Sequence, residues 1–137
     1  MNQQLAAAMA AEEAAIYAYG ILGVHLVAPA QVAEARAAET AHRNRRDYLL
    51  GQIDQPPAAA AGYDLPFPVA DPVSAVRLAV HVEDGVAQSW RPVLGASQGA
   101  ARAAALSALT DAAVRATRWR RIAALSPVTM PYPGKAA

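Results

Sequence analysis

The chain has 137 residues, enough for one domain; 37 of them are Ala and only 6% are aromatic. This excludes a β-sandwich or barrel, because Ala is depleted in strands and the β-branched and aromatic residues that strands favour are scarce, whereas Ala is the best helix former. A formal net charge of +1 supplies no global attraction to nucleic acid or an anionic membrane, and the lack of Cys removes disulfides, thiolate metal ligands and Cys nucleophiles, which suits a reducing cytoplasm.

Residues 2–27 contain no Pro and carry Ala, Leu, Met and Ile at helical spacing, which predicts the first helix. Its stretch from Ala14 to Ala30 is nearly apolar. A signal peptide would place a basic segment before such a run, but Glu12 and Glu13 stand there. As a membrane span the run is short and interrupted by Gly20, Gly23 and His25. Pro29 then ends this helix and suits the first turn of the next, over 30–54. Residues 55–71 hold Pro56, Pro57, Pro66 and Pro68 and cannot be one helix. Asp71-Pro72 reads as an N-cap followed by a first-turn proline, opening a third helix over 72–95 in which Pro92 predicts a kink or an early end. Ser97 is placed to cap a fourth helix over 98–125, stopped by Pro127. The tail, 126–137, reads as extended and docked through Met130 and Tyr132.

Connection lengths carry topology. Short links make helices 1–2 and 3–4 antiparallel hairpins. A 25-residue helix is about 37 Å long, and the 17 residues of the 55–71 connection reach up to about 56 Å when extended. The connection can therefore run the length of the bundle and leave helices 2 and 3 parallel. Two hairpins joined by one long crossover is the ferritin-like arrangement. The expected fold is thus all-α, a single ferritin-like four-helix bundle over 1–137.

Helical wheels place Glu12 on the apolar face of helix 1, and Glu39, His42 and Arg46 on that of helix 2. Glu83 lies on the stripe of helix 3 that also holds Val73, Val76, Val80, Ala87 and Trp90. On helix 4, Asp111 and Arg115 lie beside the apolar stripe. Each helix thus brings a carboxylate to or near its core face, and a buried carboxylate is costly unless paired, protonated or bound to metal. The halves read as a diverged repeat: Glu12-Glu13 matches Glu83-Asp84, and Glu39-x-x-His42 matches Asp111-x-x-Val114. A di-metal carboxylate bundle takes one Glu from each of two helices and a Glu-x-x-His from each of the others. The i, i+3 spacing sets carboxylate and imidazole on one helix face. Glu12, Glu39, His42 and Glu83 are the candidate metal ligands, a half-site suited to Fe, Mn or Zn. Val114 cannot be the second imidazole.

The preferred reading needs no metal: Arg46 and Arg115, with Arg118, neutralise Glu12, Glu39, Glu83 and Asp111 in a buried network. The alternative is a metal-binding di-metal-type protein with oxidoreductase activity. A third is a homodimer scaffold, since Ala faces let backbones approach closely. His25 and His81 fall off the inward stripes. Tyr17 and Tyr19 flank the candidate site and read as core packing ahead of redox tyrosines. The Arg118-Trp119-Arg120-Arg121 cluster complements the dipole at the end of helix 4. No Gly-rich phosphate loop or Ser nucleophile motif is present.

Ala-Glu-Glu-Ala-Ala-Ile-Tyr-Ala-Tyr-Gly (11–20) resembles the first helix of a family of Ala-rich ferritin-like proteins of unknown function from actinobacteria. So do His42 to Asp47, Leu65 to Pro72, Glu83-Asp-Gly85, Leu109 to Arg115 and the tail from Pro127 to Gly134. The resemblance spans nearly the whole chain and implies the four-helix fold without an activity. The ferritin di-iron residues carry over to Glu12, Glu39, His42 and Glu83. The pattern departs at Val114, and Asp111 is one methylene shorter than Glu.

Overall fold

The computed structural model describes residues 1–136, so Ala137, the end of the expected tail, lies outside the described residues. Among the described residues there are four α-helices and no strand: α1 (Asn2–Leu22), α2 (Pro29–Leu50), α3 (Pro72–Ala96) and α4 (Gly99–Ile122). A 3₁₀ turn at Gly23–His25 follows α1. By length and composition α1 is apolar enough to cross a membrane. Within this fold, however, it buries Leu5, Met9, Glu12, Tyr19 and Leu22 against its neighbours.

The helix directions follow from side chains that meet. Glu12 reaches Trp90 and Tyr19 reaches Glu83, so α1 and α3 are antiparallel. Glu34 meets Arg118 and Arg45 meets Ser107, so α2 and α4 are antiparallel as well. The connection over 51–71 runs back along the bundle and leaves α2 and α3 parallel.

The α3 start has a full capping box. The Ser74 N–H donates to Asp71 Oδ1 at 2.8 Å, the Asp71 N–H donates to Ser74 Oγ at 3.2 Å, and Pro72 opens the first turn. Asp71→Ala is expected to lower the thermal midpoint by a few degrees, whereas Asp71→Asn, which can still accept from the first turn, keeps most of it. A scan of the three proteins by circular dichroism checks this.

Several ends differ from expectation. The first helix gives way to the 3₁₀ turn after Leu22, before residue 27. The second stops at Leu50, where Gly51 turns the chain, and not at 54. The fourth stops at Ile122, and Ala124 takes a left-handed φ of 55° that no helix continues through. Pro92 does not shorten α3, which runs on to Ala96. The carbonyl it frees belongs to exposed Gln88, where water can bond it, and buried Trp90 and Val93 hold the last turn down. Ser97 does not cap α4 either. Its hydroxyl donates back to the Val93 carbonyl at 2.6 Å, finishing α3.

The tail docks through its backbone, not through Met130 and Tyr132, which are 43% and 66% exposed. Arg91 donates to the Pro133 carbonyl at 2.8 Å. Gly134 has φ +79°, and a Cβ there would stand 2.6 Å from the Ala87 carbonyl oxygen, a seat only glycine fits.

The core has two apolar regions. One holds Leu5, Met9, Leu49, Ile53, Trp90 and Leu109. The other holds Leu22, Leu26, Ala38, Leu78 and Trp119. Along α2, α3 and α4, His42, Glu83 and Arg115 fall between the residues given to one region and those given to the other. Val73, expected on an inward face, is 64% exposed in the first turn of α3.

Candidate functional site

Among the described residues, Glu12, His42, Glu83 and Arg115 are the buried charged residues, at 1%, 2%, 0% and 8% exposure. Each helix supplies one of them. Their helices are cheap to form from Ala-rich sequence, and the small Ala side chains around them let long polar groups meet at the centre.

His42 is the hub. Its Nδ1 lies 2.5 Å from Glu12 Oε2 and its Nε2 lies 2.8 Å from Glu83 Oε2. An ionised carboxylate only accepts hydrogen bonds, so both ring nitrogens donate and the ring is an imidazolium. Burial works against that charge, but the hydrogen bonds it donates to Glu12 and Glu83, and the charges of those carboxylates, outweigh it and raise the His42 pKa to about 9. The second oxygen of Glu12 accepts from Trp90 Nε1 at 2.7 Å. Glu83 accepts from the Tyr19 hydroxyl at 2.5 Å and from Arg115 at 3.2 Å. Tyr19 in turn accepts from Trp119 Nε1 at 2.9 Å and stacks on His42, with ring centroids 5.6 Å apart. Burial, then the Glu83 charge, hold the Tyr19 phenol well above its ordinary range, so it keeps its proton. Burial opposes the Arg115 charge, but Glu83 and Asp111 more than restore it and the guanidinium stays charged.

Two carboxylates, one imidazolium and one guanidinium sum to zero. Among the described residues, Gln4 Oε1 is the one buried side-chain polar atom without a partner, so the network is fully satisfied.

There is also an exchange of donors. Tyr19 follows Glu12 by seven residues on α1, and Trp90 follows Glu83 by seven on α3. Tyr19 donates to the carboxylate of α3, and Trp90 donates to the carboxylate of α1.

Of the predicted ligands, the structure brings together Glu12, His42 and Glu83 but not Glu39. Glu39 lies three residues before His42, a rotation of about 60° around the helix, and pairs with exposed Arg43 at 3.0 Å. Arg46, expected at the centre, bonds its neighbour Asp47 at 2.9 Å near the surface. The i+4 step from His42 overshoots the core face by about 40°, and a long Arg side chain gains hydration by turning outward. Arg118 pairs with Glu34 on the outside, 59% exposed. Asp111 holds Arg115 at 2.8 Å from a side chain that is 44% exposed. Val114, aligned with His42 in the sequence repeat, is 45% exposed. The inward residue of α4 at that level is Arg115, one position later. Trp90 and Trp119 count as apolar on a helical wheel. Their indole N–H groups are the polar members that sequence reasoning missed, and the signal for Trp90 was its place on one stripe with Glu83.

The imidazole lies between the two carboxylates, one nitrogen turned to each. For one ion to take all three, the ring would have to turn and give up one of these bonds. Among the described residues, no group of three His, Asp or Glu side chains is arranged to hold a metal.

The family described as a domain of unknown function (DUF4439) matches residues 4–137. A conserved hypothetical protein from Mycobacterium tuberculosis, known from a crystal structure, is 40% identical. The match covers 88% of this chain and 95% of that one, with a TM-score of 0.82. No curated protein matches the sequence.

Proposed function

The chain belongs to the DUF4439 family, and we propose that it is a ferritin-like bundle whose central carboxylate site is degenerate: held by His42 and Arg115, not catalytic, and structural in purpose. The observation that carries this reading is that both ring nitrogens of His42 are already bonded to carboxylates, at 2.5 and 2.8 Å. The antiparallel α1–α3 pair and the long connection over 51–71 support the ferritin-like topology. In this reading the network fixes how two hairpins dock in a cytoplasmic protein. Buried ion networks of this kind set geometry more than they add net stability.

The test is elemental analysis of protein purified without added chelator, followed by titration with Fe(II), Mn(II) and Zn(II). The expected result is metal far below one ion per chain and no saturable uptake. Near-stoichiometric metal that disappears in His42→Ala would overturn the proposal in favour of a metal-binding, di-metal-type protein.

A further inference from the structure

A groove of about 860 Å³ runs along α3 and α4 and is walled on one side by residues 129–135. Sites for small organic ligands span roughly 300–1,000 Å³. Small residues, Ala87 and Ala113, give it depth beside Leu109. Its walls carry Leu106, Val114 and Met130, large apolar side chains that are 52%, 45% and 43% exposed. From Arg102 to Arg120, the lining residues of α4 extend over about 27 Å. The groove is therefore long and apolar.

Its charge is uneven. At the far end Arg120 is neutralised by Asp84. At the end nearest the α3–α4 turn stand Arg91 and Arg102, both exposed, with no carboxylate of the described residues paired to them, and Lys135 of the tail, its ammonium 5.6 Å from the Tyr132 ring, adds a further cation to the lining. Arg91 uses one of its guanidinium donors on the Pro133 carbonyl. An apolar trough with cations at one end is complementary to an amphiphile with an anionic head.

We propose that this groove binds a long-chain fatty carboxylate, with the chain against Leu106, Val114 and Met130 and the head group between Arg91 and Arg102. The inference is independent of the central network, which does not line the groove.

The experiment is a fluorescence titration of the full chain with a dansyl-labelled fatty acid, displaced by oleate or by uncharged methyl oleate. Saturable binding at one probe per chain is expected, with oleate displacing it at least tenfold more effectively than the ester. Arg102→Glu is expected to weaken oleate by roughly tenfold or more, since it removes a charged donor and sets a carboxylate against the head group. Arg102→Lys should restore most of the affinity. Leu106→Asp should abolish it. Both residues are exposed, and circular dichroism confirms that the variants fold. Absence of saturable binding, equal displacement by acid and ester, or an unaltered Arg102→Glu protein would each overturn the proposal. A dimer in light scattering that Leu106→Asp dissociates would overturn it too, by making the groove a contact between copies of the chain.

Discussion

Glu83→Ala is expected to destabilise the fold by about 3–5 kcal/mol, the usual cost of leaving a buried charge uncompensated. Glu83 is fully buried and accepts from Tyr19, His42 and Arg115. Its removal strands three donors at once. His42 keeps Glu12 alone, and Arg115 keeps only Asp111 at the edge of the bundle. Asp111→Ala is the control. Its side chain is 44% exposed and touches the network only through Arg115, so its loss should cost less than about 1 kcal/mol. Urea unfolding of both variants measures the difference. Equal costs would mean that the buried carboxylate is not the keystone of the layer.

The second large effect is on pH dependence. The His42 pKa is raised from an ordinary 6.5 to about 9 in the folded protein. Between those values the folded state binds a proton that the unfolded state has released, so stability falls as pH rises. The contribution is complete below pH 6.5 and is lost by about pH 9. The slope approaches roughly 1.4 kcal/mol per pH unit, and the whole loss is on the order of 3 kcal/mol. Urea midpoints at pH 6, 7.5 and 9 give the curve. In His42→Gln the curve should flatten over this window. The same decline in both proteins would assign it to another group.

The all-helical fold was legible because its causes are local. Ala content, the Asp71-Pro72 start and the prolines of the connection mark four helices without any knowledge of packing. The centre was legible only in part. Glu12, His42 and Glu83 stand out as charges on apolar stripes, and they do meet. Glu39 shares nearly the same stripe, and the wheel cannot distinguish a residue at its edge from one at its middle. A Glu-x-x-His pair reads as a ligand motif, but only packing decides whether both members turn inward. Arg115 lay in sight, but aligning the two halves put Val114 at the inward position. The indoles stayed hidden because Trp90 and Trp119 count as apolar on any wheel, although each places one N–H in the charged layer. The tail departs from expectation for a related reason. Its large side chains, Met130 and Tyr132, stay exposed, while the anchoring atoms belong to the backbone of Pro133 and Gly134.

Within the central network, charge is balanced in each hairpin. Glu12 and His42 belong to the first hairpin and bond at 2.5 Å; Glu83 and Arg115 belong to the second and bond at 3.2 Å. Each hairpin can therefore neutralise its own carboxylate before it meets the other. The bonds that cross between them, Tyr19 and His42 to Glu83, Trp90 to Glu12 and Trp119 to Tyr19, join residues at least 41 positions apart. They form only once the long loop has closed, the step that carries the entropic cost. Docking thus brings two neutral ion pairs together and transfers no net charge out of water. The late bonds act as a check on alignment: a slip of one helical turn would leave them all unmade.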